Sequence, residues 1–144
     1  MTRGEQLRAV FDTNVLVSAI LFPQSAPGQA LMLARRLGVL LASQELTEEI
    51  GAVLNRPKFD RYVTRDVRDE FLVTFIAEVE LVEVAEQIDA CRDPKDNKVL
   101  DVAANGRATC IISGDADLLV LHPFRSIPIL SPADFLARYR EEQA

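Results

Sequence analysis

Acidic side chains fall in four separated places along the chain: Asp12, the pair Glu48-Glu49, Asp93 with Asp96, and Asp115 with Asp117. None stands beside an imidazole or thiolate at metal-ligand spacing. The sole histidine, His122, has no second histidine, and the two cysteines, Cys91 and Cys110, form no CxxC or CxxH pattern. Carboxylates gathered without a counterion repel one another by about 4 kcal/mol per pair at about 4 Å and an effective dielectric of about 20. If these groups converge, they require a cation, and oxygen donors alone select a hard divalent ion such as Mg²⁺ or Mn²⁺ over zinc. Such an ion polarises a phosphodiester, lowers the pKa of a water and stabilises the leaving oxygen, which is nuclease chemistry with no covalent protein intermediate. Serine or cysteine nucleophile schemes find no support, since His122 precedes Pro123 and matches no triad signature.

Positioning these groups requires elements that bring their carboxylates to one place. Ala9-Val10-Phe11 reads as a short buried strand, followed by a helix from Val15 to Phe22 and a loop marked by Pro23 and Pro27. A helix from Gln29 to Leu37 and a strand from Val39 to Ala42 come next. Ser43 caps a helix that Pro57 stops, and Thr64 caps another with Val67, Phe71, Phe75, Ile76 and Val79 in its stripe. Leu81 to Val84 reads as a strand, Asp93-Pro94 opens a helix to Asn105-Gly106, and Thr109 to Ser113 is a strand. A short helix around Leu118 to Leu121, a strand from Ile127 to Leu130 and a helix after Ser131-Pro132 complete the alternation. This α/β alternation predicts a parallel sheet sandwiched between helical layers, with ligands bound beyond the carboxyl ends of its strands. Asp12, Asp115 and Asp117 directly follow strands and land at those ends.

Helical geometry separates the two glutamates. At about 100° per residue, Glu49 lies about 85° from the centre of the stripe formed by Leu46, Ile50, Val53 and Leu54, and Glu48 about 175° away. Glu49 thus flanks the core, while Glu48 points to solvent. Taken singly, each acid has a structural alternative: Asp93 and Asp96 suit a helix N-terminus, and Asp115 and Asp117 suit the start of the short helix that follows. Asp101 reads as a surface charge. Convergence at one sheet edge is the feature that favours chemistry over capping.

Composition bounds the rest. The 144 residues suit a single domain, 1–144, with 49% hydrophobic and 26% charged residues, as in soluble globular proteins. No apolar stretch reaches membrane-spanning length, the first residues carry no signal-like region, and the cysteines read as reduced thiols, so a cytoplasmic protein is expected. A net charge of −6 repels a polyanion as a whole, so nucleic-acid contact must be local. The best local source is the segment 56–65, where Arg56, Lys58, Arg61 and Arg65 alternate with Phe59 and Tyr62; Lys98 is a further candidate.

The stretch from Val10 to Ala19, VFDTNVLVSA, resembles the opening of PIN domains (PilT N-terminus-like), with Asp12 at that family's first acidic position. Ser43 to Phe59, with Glu49 before Ile50, is similar to the VapC-like branch of toxins from toxin–antitoxin systems. Cys91 to Ala103 carries the third acidic position at Asp96. Ile111 to Leu119 carries the fourth at Asp115, with Asp117 auxiliary. The resemblance spans roughly residues 8 to 138. It implies a three-layer α/β/α sandwich with a central parallel β-sheet and Mg²⁺ or Mn²⁺ at Asp12, Glu49, Asp96, Asp115 and Asp117. It also implies endonucleolytic cleavage of RNA, a protein antitoxin as partner, and a homodimer. Asn14 and Ser113 are read as hydrogen-bonding supports of the site; many relatives carry Thr at the place of Ser113. Two rivals stand beside this reading. One is a PIN-like fold kept only to bind RNA or protein. The other is a phosphatase-like or receiver-like phosphoryl-transfer domain, disfavoured because Asn14 occupies the place of a second Asp and no lysine follows Leu121.

Overall fold

The computed structural model describes residues 6–143; residues 1–5, on which the expected absence of a signal-like region falls, and Ala144 lie outside the described residues. Five strands form one sheet with every pairing parallel: β1 (Leu7–Phe11), β2 (Gly38–Ala42), β3 (Glu80–Leu81), β4 (Cys110–Ile112) and β5 (Ile129–Leu130). Their spatial order is β3-β2-β1-β4-β5. The helices are α1 (Thr13–Leu21), α2 (Ala26–Leu37), α3 (Gln44–Leu54), α4 (Arg65–Glu78), α5 (Asn97–Asn105), α6 (Ala116–Leu119) and α7 (Pro132–Gln143). α2 packs on α1 and α7 and lies against β1 and β2, whereas α5 lies against β1, β2 and β4. The architecture is the expected three-layer α/β/α sandwich around a central parallel sheet.

The central strands are apolar because both faces of the sheet are covered. Leu7, Ala9, Val10 and Phe11 of β1 and all of β4 are buried. β1 and β2 meet so closely at their start that a Cβ on Gly38 would lie 2.0 Å from the Leu7 carbonyl oxygen, which only glycine avoids. Among the described residues no single helix is long and apolar enough to cross a membrane.

Several element boundaries differ from the sequence reading. α1 begins at Thr13 rather than Val15, because Asp12 accepts the Val15 N–H and so caps the helix directly after the strand. The helix expected from Asp93-Pro94 divides into a 3-10 turn, Pro94–Asp96, and α5. β3 is Glu80–Leu81 rather than 81–84, and β5 is Ile129–Leu130 rather than 127–130; as edge strands both extend only as far as a neighbour pairs with them. Asp101 is not a surface charge. It is buried on α5 and accepts the Ile88 N–H at 2.6 Å, because the segment after β3 drapes over that helix.

Chain order around the sheet reverses at β1, with β2 on one side and β4 on the other. A crevice opens at such a switch point, beyond the strands' carboxyl ends. The Asp12 N–H continues the ladder by donating to the Ile112 carbonyl at 3.0 Å, which seats Asp12 beside the residues that follow β4.

Candidate metal centre

Asp12 is buried at the floor of the crevice. One carboxylate oxygen accepts the Val15 N–H at 3.2 Å, and the other accepts the Ser113 hydroxyl. Ser113, fully buried, in turn accepts the Asp115 N–H at 3.0 Å, so one hydroxyl links the segments after β1 and β4. Burial pushes the Asp12 carboxyl above its usual range, opposed by these hydrogen bonds and reinforced by the Asp115 charge.

Above this floor stand Asp96, Asp115 and Asp117, each offering an oxygen within 4.8 Å of the other two. Asp115 also accepts the Asp117 N–H at 2.9 Å and thereby caps α6. Asp93 and Asp96 divide their duties. Asp93 accepts the Lys95 N–H at 3.1 Å, whereas Asp96 makes no capping hydrogen bond and is left to face the cluster. Partial burial pushes the Asp96 carboxyl up to about 6, assisted by a hydrogen bond with the Asp115 carboxylate and by the Asp115, Asp93 and Asp12 charges.

Glu49 forms the opposite wall. It accepts the Thr13 hydroxyl and pairs with the Lys98 ammonium at 3.0 Å. Asp12, Glu49, Asp96 and Asp115 all line one cleft of about 390 Å³ together with Asn14, Arg56 and Lys98. The structure thus brings the four sequence-derived acids to a single opening, places Asp117 in the tightest carboxylate group, and leaves Glu48 exposed in solvent. Asn14 is exposed on the rim with its backbone N–H toward Asp12. Of the candidate basic residues, Arg56 lines the cleft, Lys98 is held by Glu49, and Lys58 and Arg61 lie exposed beyond it.

Sequence reasoning passes over two groups. Thr13 donates to Glu49 across 36 positions of chain, a contact no local pattern announces. The Cys91 thiol lies 3.8 Å from an Asp96 oxygen and 3.4 Å from the Asp117 carbonyl. Burial and the neighbouring carboxylates push this thiol upward, away from the thiolate a nucleophile needs. Cys110 lies in the core with its thiol pushed up to about 12, and His122 accepts the Ile129 N–H at 2.9 Å, a structural role.

The donor set fits a hard divalent cation. It is all oxygen and partly exposed, and Asp96 gives up its proton reluctantly because partial burial and the neighbouring acids disfavour its charge. A stability prediction follows for the protein held in chelator. The folded Asp96 binds its proton more tightly than the unfolded one, so stability falls as pH rises from about 4 through about 6, by about 1 kcal/mol after discounting for solvent screening. Asp96→Asn should remove that loss. An equal melting-temperature difference between parent and variant at both ends of this window would contradict the account.

An acidic crevice at the switch point of a parallel sheet defines an α/β protein with a carboxylate group that could hold a cation. The PIN domain family model matches residues 8–117, and the chain belongs to that family, whose members are generally nucleases that use divalent metal ions. It is 32% identical over 118 residues to the uncharacterized protein MJ1680 of Methanocaldococcus jannaschii, covering 81% of this chain and 76% of that one. Its fold is similar to that of VapBC2 from Rickettsia felis, solved bound to a DNA fragment from their promoter (TM-score 0.59, 11% identity, 87% of this chain and 98% of that chain). It is also similar to PAE2754 from Pyrobaculum aerophilum (TM-score 0.60, 14% identity, 94% and 90%).

Proposed function

We propose that the protein is a Mg²⁺- or Mn²⁺-dependent endoribonuclease and the toxin of a toxin–antitoxin pair, a single domain acting in the cytoplasm. Asp12, Glu49, Asp96 and Asp115 are the catalytic residues in this reading, with Asp117 beside them. The observation that carries it is the meeting, in one cleft, of carboxylates from four separated segments. Membership of the PIN family supports hydrolysis of a phosphodiester. The likeness of residues 43–59 to the toxin branch, together with the fold likeness to VapBC2, supports a protein antitoxin; the homodimer rests on the likeness to that branch alone.

Asp96, Asp115 and Asp117 would hold the divalent ion. When bound, that ion would polarise the phosphodiester, acidify a water and neutralise the leaving oxygen. Asp12 cannot swing away, being fixed on one side by the Val15 N–H and on the other by Ser113, so its carboxyl stays at the floor of the opening. Ser113 acts by orienting, holding Asp12 and the Asp115 backbone in one geometry, and Asn14 supports Asp12 through its backbone N–H. Thr13 and Lys98 fix Glu49, one at each oxygen, on the far side of the cleft where a water proton can be received. The Glu49 carboxylate strengthens the hold of Lys98 on its proton, which places a lasting positive charge at the rim to meet a phosphate.

Incubating purified protein with mixed single-stranded RNA and Mg²⁺, Mn²⁺ or chelator tests this reading. Internal cuts should appear with metal and vanish in chelator; equal cutting in chelator would refute it. Either ion should also stabilise the fold, by about 2.7 kcal/mol at about 100 times its Kd, and so raise the melting temperature, since it binds only the folded carboxylates. A melting temperature unmoved by millimolar Mn²⁺ would remove the metal from the account.

A further inference from the structure

We infer that an exposed pair of aromatic rings, Phe22 and Tyr62, forms a stacking platform for the bases of single-stranded RNA entering the acidic cleft. The pair joins two distant segments: Phe22 directly follows α1, and Tyr62 lies in the turn before α4. Their ring centroids are 5.8 Å apart in an edge-to-face arrangement, yet Phe22 remains 50% exposed and Tyr62 55% exposed. Large rings left so open form a surface that expects a partner.

Charge identifies that partner. Arg56, Lys58, Arg61 and Arg65 are all exposed in the segment that carries Tyr62, in a chain whose net charge is −6. The single acid of this segment, Asp60, is bound to Arg68 and does not offset them. The Arg61 guanidinium lies 5.4 Å from the centre of the Tyr62 ring, and the Lys58 ammonium 5.1 Å from that of Phe59. Aromatic faces interleaved with cations accept stacked bases and track a phosphate backbone. Position agrees as well. Asn14 and Phe22 lie towards opposite ends of α1, whose nine residues span about 13 Å, and Arg56 lines the acidic cleft itself. A strand on the platform would therefore reach the carboxylates within a few nucleotides.

The chain contains no tryptophan, so Tyr62→Trp supplies one that can be excited selectively. In chelator, a single-stranded oligoribonucleotide should quench its emission, while a control Val73→Trp, on the exposed side of α4, should not respond. By anisotropy with a labelled oligoribonucleotide, Phe22→Ala and Tyr62→Ala should each weaken binding about 10-fold, with Tyr62→Phe close to the parent. Lys58→Ala should lower the salt slope of binding by about 0.7. The platform is overturned if saturating RNA leaves the emission of the Tyr62→Trp variant untouched. It is also overturned if both alanine variants bind RNA like the parent, or if they change only the oligomeric state, which would assign the rings to a second copy. The inference rests on the RNA-cleaving reading. Binding is measured in chelator and cleavage with metal, so an RNA-cleaving protein without quenching loses only the platform, whereas a metal-independent cutter or a non-cutter loses the function.

Discussion

Asp96→Asn and Asp12→Asn should each reduce metal-dependent RNA cleavage by about three orders of magnitude while leaving the fold intact. The amide keeps the shape of the carboxylate and removes its charge, so the variants separate electrostatics from packing. At Asp96 the fold should gain rather than lose, because the charge removed is partly buried and repelled by Asp115, Asp93 and Asp12, which together push the carboxyl up to about 6. At Asp12 an asparagine oxygen can still accept the Val15 N–H, while its NH₂ turns to Ser113, whose hydroxyl rotates to accept it. Burial already disfavours the charged form there, so the neutral amide is tolerated. Cleavage rates with Mn²⁺ and melts in chelator, measured on the same preparations, decide the matter. A parental cleavage rate in either variant would show that its carboxylate is not part of the machinery, whereas a loss of activity together with a loss of folding would leave Asp115→Asn as the cleaner probe.

Local periodicity makes part of this arrangement legible. The α3 stripe places Glu49 at the edge of the core and Glu48 in solvent, and the structure has them so, because a regular helix buried on one face leaves no other choice. The strand-then-acid pattern at Asp12 and at Asp115 locates both residues at carboxyl ends, since parallel α/β topology fixes which end faces the crevice. Asp93 and Asp96 are ambiguous in sequence because both suit a helix start; what separates them is a 3-10 turn, whose tight spacing lets Asp93 take the Lys95 N–H and frees Asp96. Contacts made across long stretches of chain are not legible at all. Asp101 reads as an ordinary helix-surface acid until the segment carrying Ile88 folds over it, and neither Thr13 nor Lys98 announces that it will hold Glu49. Edge strands β3 and β5 read too long for the same reason, their length being set by a neighbour rather than by their own residues.

Arg68→Met should destabilise the protein by about 3 kcal/mol, a loss comparable to emptying a core position. Arg68 is only 2% exposed, yet it carries a full charge near the start of α4. Its Nη1 donates to the Leu54 carbonyl at 2.7 Å and the Arg56 carbonyl at 3.1 Å, and its Nη2 binds Asp60. Leu54 ends α3, where the last carbonyls have no partner within the helix, so a cation from the next helix acts as its cap. Methionine would fill the apolar volume but leave the Leu54 oxygen buried without a donor. Asp60, 61% exposed, can return to water, so the loss resides in the carbonyl bonds rather than in the ion pair. Asp60→Asn should accordingly cost less than about 1 kcal/mol. Lysine should rescue poorly, because one ammonium cannot reproduce the planar fork that reaches both carbonyls and Asp60. The same clamp sets the path of residues 56–62, which carry Arg56 into the cleft and Tyr62 to the surface. RNA affinity should therefore fall in Arg68→Met even at temperatures where the protein remains folded. Urea melts of Arg68→Met, Arg68→Lys and Asp60→Asn measure each contribution. A methionine variant within about 0.5 kcal/mol of the parent would mean that α3 and α4 hold together by their apolar contacts alone.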